Sequence, residues 1–287
     1  MKILIVCSGT HGALSPFIQE QMDSLSQLGV EISLFQINKK GLIGYLSYLN
    51  QLKQFIKKNK PDIVHAHYGL SGLLANLQRK IPVITTFHGS DINNPRVFKF
   101  SKWAHILSAA SIFVEEKMQS KLSPKETSCI IPCGVDFATF RPLANGEING
   151  TLNIKKDCVN ILFSSSFCNP VKNYPLAKEA CTHLERGINK KVNLIELKGI
   201  ERQQVNLLMN SVDCILLTSF SEGSPQFIKE AMSCNKPIVA TNVGDIEWLL
   251  SSIPGHFITS FDLEDVAQKI QLALEFSEKY GRTNGRD

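Results

Sequence analysis

No apolar run in this 287-residue chain approaches the ~18 residues that a membrane-spanning helix requires. The opening Met1-Lys2-Ile3-Leu4-Ile5-Val6-Cys7 is too short for a secretory signal and has no cleavage site, so it reads as a first buried strand and a cytosolic location is expected. The cysteines, Cys7, Cys129, Cys133, Cys158, Cys168, Cys181, Cys214 and Cys234, form no Cys-x2-Cys pair. Cys129-x3-Cys133 has no second half, which argues against a zinc site, and small buried thiols in a reducing compartment are the simplest expectation. The glycine loop Ser8-Gly9-Thr10-His11-Gly12-Ala13 is not Gly-x-Gly-x-x-Gly, so a dinucleotide cofactor is poorly supported.

What is present is the composition of a globular chain: 43% hydrophobic residues and a mean hydropathy of -0.03, with length enough for two compact domains. The net charge of +5 is unevenly spread. Residues 1–144 carry 16 Lys and Arg against 9 Asp and Glu, and residues 145–287 carry 15 against 17. A basic first half suits an anionic membrane surface or a phosphorylated acceptor as well as a plain solvated face. No motif supports nucleic acid as a partner. Tyr45, Leu46, Leu49, Leu52 and Ile56 recur at helical spacing beside Lys53, Lys57, Lys58 and Lys60. That pattern fits a helix lying in a membrane interface, and equally a helix facing a core.

Short apolar runs alternate with amphipathic stretches, which predicts βαβ units and parallel sheets. Strands are expected at Lys2–Cys7, Glu31–Gln36, Ile63–His67, Val83–Phe87, Ile112–Val114 and Ser128–Pro132, with helices over Ile18–Leu28 and Tyr48–Lys58. The pattern restarts at Asn160–Ser164 and continues with Val192–Lys198, Cys214–Thr218, Pro237–Thr241 and His256–Ile258. Pro142–Thr151, rich in Pro, Gly and Asn, is the natural boundary and divides the chain into domains 1–144 and 145–287. The fold class expected is α/β, with two Rossmann-like doubly wound domains facing a cleft and ligands outside the carboxyl ends of the strands.

The densest chemistry lies in Ser221-Glu222-Gly223-Ser224-Pro225-Gln226-Phe227-Ile228-Lys229-Glu230-Ala231-Met232. It follows the apolar strand Asp213–Ser219, so Glu222 falls in the loop at a strand's carboxyl end. Ser224 suits an N-cap and Pro225 a first helical position, which puts Glu230 in the second turn of the helix. A helix start offers N–H groups to phosphate, and two spaced carboxylates offer acceptors to sugar hydroxyls. The next segment, Lys236-Pro237-Ile238-Val239-Ala240-Thr241-Asn242-Val243-Gly244-Asp245, is a second buried strand ending in a Gly turn.

The Glu-x7-Glu spacing together with this following strand resembles the retaining glycosyltransferases of family four, which have the two-domain GT-B fold. Other segments share the resemblance. They are Pro61-Asp62-Ile63-Val64-His65-Ala66-His67-Tyr68-Gly69, Thr86-Phe87-His88-Gly89-Ser90-Asp91, and Pro132-Cys133-Gly134-Val135-Asp136, where Cys replaces the usual Asn. The resemblance implies that His88 meets the transferred sugar, that Asp91 supports that loop, and that Gly12 approaches the donor diphosphate. It further implies that Lys172 binds the diphosphate with Gly223, Ser224, Pro225 and Gln226, and that Glu222 and Glu230 hold sugar and ribose hydroxyls. Two departures stand out. The family's Gly-Arg after the first strand of the second domain is replaced by Ser165 and Ser166. The segment from Val192 to Asp213 is shortened, and the last amphipathic stretch, Leu263–Phe276, leaves either a short member or one lacking the C-terminal crossover helix.

The implied activity is transfer of a hexosyl unit from a nucleoside diphosphate sugar, most often a UDP sugar, to a glycan or lipid-linked acceptor with retention. Such an enzyme in surface polysaccharide or glycoconjugate synthesis would be cytoplasmic or peripheral at the inner membrane face. No metal or other cofactor is implied, and the chain has no Asp-x-Asp. A double-displacement glycosidase needs carboxyls about 5 to 5.5 Å apart, and the expected separation of Glu222 and Glu230 exceeds that, so neither is assigned as a nucleophile. The alternatives are a sugar-nucleotide epimerase, a pyridoxal-phosphate-dependent phosphorylase, and a catalytically inactive partner subunit of the same fold.

Overall fold

The computed structural model describes residues 1–9, 14–123, 125–144, 147–148 and 154–287, so Gly12 lies outside the described residues. The chain forms two compact units, Met1–Gly134 and Val135–Asp287.

In the first unit, β1 (Lys2–Ser8), β2 (Glu31–Ile37), β3 (Ile63–His67), β4 (Val83–Phe87), β5 (Ala110–Phe113) and β6 (Ser128–Ile130) make one parallel sheet, ordered β2-β1-β3-β4-β5-β6. Its helices are α1 (Pro16–Gln27), α2 (Gly41–Leu46), α3 (Leu49–Asn59), α4 (Gly69–Asn76), α5 (Ser90–Asn93), α6 (Pro95–Leu107) and α7 (Glu116–Ser120). The alternation of side chains along β1 feeds two cores at once. Ile3, Ile5 and Cys7 pack with Ile18 of α1, while Leu4 and Val6 pack with Leu52 and Ile56 of α3 and Leu74 of α4. Covering on both faces is why the strands read as continuous apolar runs.

The apolar stripe, which is divided between α2 and α3, is therefore committed to the core: Tyr45 of α2 and Leu52 and Ile56 of α3 are buried, and Leu49 of α3 is partly buried. Of the five residues expected to suit a membrane interface, only Leu46 is exposed. Burying a leucine or isoleucine is worth about 1.5–3 kcal/mol, so the core holds this stripe in preference to any surface.

In the second unit, β7 (Cys158–Phe163), β8 (Lys191–Glu196), β9 (Cys214–Leu217), β10 (Ile238–Thr241) and β11 (His256–Thr259) form a parallel sheet ordered β11-β10-β9-β7-β8. Helices α8 (Tyr174–Ile188) and α12 (Leu263–Tyr280) pack on one face with Ile161, Phe163, Leu216 and Val239. Helices α9 (Arg202–Ser211), α10 (Gln226–Ser233) and α11 (Ile246–Leu250) cover the other with Leu162, Ile215, Leu217 and Ile238. The stretch from Val135 to Leu143, read in the sequence as the close of the first half, packs with this second unit. Phe140 is fully buried in its core. Leu143 N–H donates to Asn210 Oδ1 at 2.8 Å, and Arg286 Nη1 donates to Phe140 O at 2.7 Å.

All eight cysteines are free. Cys7, Cys181, Cys214 and Cys234 are buried as expected, but Cys129 and Cys168 are exposed and Cys133 and Cys158 are half-buried, because Cys129 lies on the edge strand β6, Cys158 opens β7, and Cys133 and Cys168 lie in loops. Among the described residues, no helix is long and apolar enough to cross a membrane.

Candidate functional site

The order of the second sheet reverses between β7 and β9, so the carboxyl ends of those strands open the crevice where α/β sheets bind ligands. Three polar atoms are buried there without a hydrogen-bond partner among the described residues. They are Ser164 Oγ just past β7, Ser219 Oγ past β9, and Asp245 Oδ1 past β10. Unpaired buried polar groups cost about 1–3 kcal/mol each. Three at the ends of three adjacent strands mark a surface shaped for hydrogen-bonding ligand atoms.

Around them, the loops are cross-braced. Thr218 Oγ1 donates to Lys172 O and Asn173 O, both at 3.0 Å, and Phe220 N–H donates to Val171 O at 2.9 Å. The 3-10 turn Pro170–Lys172 is thereby fixed to the end of β9. Thr241 Oγ1 donates to Ser219 O at 2.8 Å, and Asp245 N–H to Gly223 O at 3.2 Å. Gly244, at φ +62, lies so close that a Cβ there would stand 2.1 Å from Gly223 O.

The bracing brings Lys172 and Glu222 together across fifty positions of sequence, with Lys172 Nζ 2.5 Å from Glu222 Oε1. Their side chains are 18% and 14% exposed, so the pair gives up much of its hydration. Such pairs contribute little net stability and are strong candidates for a ligand-binding role. Glu230 stands apart from that pair. It lies in the second turn of α10, 4% exposed, with Oε1 2.7 Å from an Arg202 nitrogen. The Arg202 guanidinium also covers the Phe140 ring, 4.5 Å from its centroid.

One local expectation needs correction. Pro225, not Ser224, occupies the N-cap position of α10, and Gln226 opens the helix. The Ser224 hydroxyl is drawn instead to Asp245, donating to its Oδ2 at 2.5 Å, and accepts from Lys229 Nζ. Burial raises the Asp245 carboxyl above the ordinary range, with Ser224 and Lys229 opposing it. Ser166 Oγ and Phe167 N–H both donate to Glu196 Oε1 at 2.8 Å, which holds that carboxyl below its ordinary value. A carboxylate thus stands beside the serine that replaces the cation.

In the first unit, the histidines meet at the carboxyl ends of β3 and β4. His65 and His67, on one face of β3, stack with ring centroids 4.5 Å apart, and His67 stacks on His88 at 5.2 Å. His67 Nδ1 and His88 Nε2 are 3.0 Å apart, one donating and the other accepting, and His88 Nδ1 lies 3.8 Å from Cys133 Sγ. Phe17 and Tyr68 pack against the His88 ring, each at 4.7 Å. Burial, and then His65, lowers His88 to about 3, while burial alone lowers His65 to about 4. At neutral pH this is a neutral imidazole stack that exchanges hydrogen bonds and supplies no acid. Asp91 ties the loops beneath it, accepting N–H bonds at 3.0 Å from Gly69, His88 and Gly89. Burial outweighs those bonds and raises its carboxyl to about 6. Among the described residues, no three His, Cys, Asp or Glu side chains converge to hold a metal.

Sequence reasoning missed Arg202, Lys229 and the partnership of Asp245. Lys229 adjoins Glu230 within the motif and could have been weighed. Nothing in the sequence links Arg202 to Glu230.

The family profile of Glycosyltransferase Family 4 matches residues 5–139, and that of Glycosyl transferases group 1 matches residues 170–275. TuaC of Bacillus subtilis, a chain assigned to teichuronic acid biosynthesis as a glycosyltransferase, is 25% identical over 216 residues, 66% of this chain and 55% of its own. This chain thus spans about half the length of that relative. Sucrose-phosphate synthase from Thermosynechococcus elongatus superposes with a TM-score of 0.80 at 15% identity, covering 99% of this chain and 92% of its own. Anabaena HepE in complex with UDP and glucose gives 0.75 at 17% identity, covering 100% and 94%. These likenesses place the fold in the GT-B class. With each of the two units matched by its own profile, the second across the Lys172–Glu222 and Arg202–Glu230 pairs, the chain belongs to the family four, group 1 glycosyltransferases.

Proposed function

We propose that this protein transfers a hexosyl unit from a nucleoside diphosphate sugar, a UDP sugar, to a glycan or lipid-linked acceptor with retention, in the synthesis of a surface polysaccharide or glycoconjugate. The observation that carries it is the row of unpartnered buried atoms, Ser164 Oγ, Ser219 Oγ and Asp245 Oδ1, beside the Lys172–Glu222 pair. A polyhydroxylated, doubly charged ligand suits both features. The HepE complex with UDP and the biosynthetic assignment of TuaC support the donor and the setting.

As the sugar–phosphate bond breaks, negative charge grows on the departing diphosphate and needs donors already in place. Lys172 supplies the cation, and the backbone of Gly223 and Ser224 at the start of α10, shaped by Pro225 and Gln226, supplies the rest. The incoming diphosphate takes Lys172 from Glu222, which frees that carboxylate to accept from sugar hydroxyls. Glu230, fixed by Arg202, accepts from the ribose. His88, neutral and held over Asp91, exchanges hydrogen bonds with the sugar.

Calorimetry with UDP tests the donor half. Lys172→Ala and Glu230→Ala should each weaken binding by about 1–3 kcal/mol. Glu222→Gln and His88→Ala should lower turnover while leaving affinity for free UDP nearly unchanged. Unaltered UDP affinity in both of the first two variants, with folding intact, rejects the assignment. UDP binding without turnover over a panel of UDP, GDP and ADP sugars favours an inactive partner subunit instead, the outcome to which Glu196 beside Ser166 would point.

A further inference from the structure

Helix α6 presents to solvent a face that its own fold does not require. Asn94 caps it, its side chain accepting from Arg96 N–H at 3.0 Å, and Pro95 takes the first helical position. Ser101, Ala104 and His105 are buried, with α4 as the principal helix packed against α6. Arg96, Lys99, Lys102, Trp103 and Ile106 are all exposed. At about 100° per residue they share an arc of ~120° opposite the buried side. Trp103 is 58% exposed and Ile106 48%.

Charge on this face has one sign. The helix Pro95–Leu107 contains no carboxylate. Its C-terminal end, where unpaired carbonyls would give a negative potential, is covered by a cation. Lys125 Nζ donates to the carbonyls of His105, Ile106 and Ser108 at 2.5, 2.7 and 3.3 Å. Beyond the other end, Lys121 Nζ donates to Asn93 Oδ1 at 2.6 Å. Lys99 Nζ lies 5.1 Å from the Phe100 ring centroid.

We propose that this outward face of α6 is a docking surface for an anionic lipid bilayer. A soluble polyanion would satisfy the three cations but gains nothing from Ile106. An apolar protein groove would satisfy Trp103 and Ile106 but would desolvate the cations without pairing them. A bilayer interface accepts all of them. The indole sits among the headgroups, the isoleucine reaches the acyl boundary, and the cations meet anionic headgroups. The basic helix α3 offers no such surface, since its apolar residues face the core. This inference stands independently of the transfer chemistry.

Trp103 itself reports the outcome. The chain has two tryptophans, and Trp248 is exposed on α11, so Trp248→Phe leaves Trp103 as the sole emitter. In that background, phosphatidylcholine vesicles containing phosphatidylglycerol should shift Trp103 emission to the blue and co-sediment the protein. Pure phosphatidylcholine vesicles should do neither, and raised salt should reverse both effects. Lys99→Glu with Lys102→Glu should lower partitioning about 25-fold or more, at roughly fivefold per charge removed and more for reversal. Lys53→Glu with Lys57→Glu on α3 should have a smaller effect. The proposal is overturned if anionic vesicles leave Trp103 emission unchanged. It is equally overturned if the α3 pair abolishes binding and the α6 pair does not, or if soluble heparin shifts Trp103 as fully as vesicles do.

Discussion

Removing Arg202 should cost more than removing the acid it binds. The pair is asymmetric: the Glu230 side chain is 4% exposed and that of Arg202 31%. In Arg202→Ala, a buried carboxylate loses its cation, a change worth about 3–5 kcal/mol. Loss of the guanidinium over Phe140 adds about 0.5–1 kcal/mol. In Glu230→Gln, the arginine can turn to water and a neutral amide remains, so the cost should be nearer 1–2 kcal/mol. The Arg202→Ala penalty should also depend on pH. Without its cation the buried carboxylate binds a proton more tightly than the unfolded chain does. Stability is then recovered at low pH and lost as pH rises through the raised value, so the defect should be larger at pH 8 than at pH 5. Urea unfolding followed by Trp248 fluorescence, in a Trp103→Phe background, reads the second unit alone. Equal costs for the two variants, or an Arg202→Ala penalty that is the same at both pH values, would show that the carboxylate is not held by this pair.

Gly244→Ala should destabilise the second unit by about 3 kcal/mol or more, since it places a Cβ 2.1 Å from Gly223 O at a φ of +62. A melting temperature within about 2 °C of the parent would contradict the close approach. The first unit should weaken in mild acid. The folded-state values of His65 and His88, about 4 and 3, and that of His67 all lie below the unfolded imidazole value. Their contribution is whole above about pH 6.5 and lost as pH falls toward 4. Asp91, raised to about 6, runs the other way between pH 4 and 6 but is one proton against three. A constant unfolding midpoint for the first unit from pH 7 to 5, read from Trp103, would refute the burial of neutral imidazoles.

The strands were readable because parallel sheets covered on both faces need uninterrupted apolar runs, and runs such as Ile161–Phe163 and Cys214–Leu217 have no competing pattern. The loop position of Glu222 and the helical position of Glu230 followed from those strands. Partnerships were harder to see. Ser224 carries the composition of a cap, yet its hydroxyl donates to the Asp245 carboxylate, twenty-one residues away in sequence, and accepts from the Lys229 ammonium. Helix α3 carries a stripe that fits a core or a bilayer equally, and only Leu52 and Ile56 packed under β1 decide between them. Helix α6 is the converse. Trp103 and Ile106 sit among lysines in a pattern too weakly periodic to single out, and their exposure emerges only once α4 has taken the opposite side. Arg202 and Glu230 have no spacing rule that joins them, because their contact depends on how α9 and α10 pack over the same sheet face.

The bracing among the loops past β7, β9 and β10 also bears on how a ligand would arrive. Backbone is tied to backbone at Phe220–Val171 and Asp245–Gly223, and Gly244 has no room to shift. A frame this closely tied has little conformational freedom left to surrender. Binding at the second unit alone should then carry mainly the ligand's own loss of translational and rotational freedom, with little chain-ordering entropy. Its heat-capacity change should track the ligand surface buried and no more. The observed rate of capture should rise linearly with ligand concentration, with no plateau from a slow rearrangement of these loops.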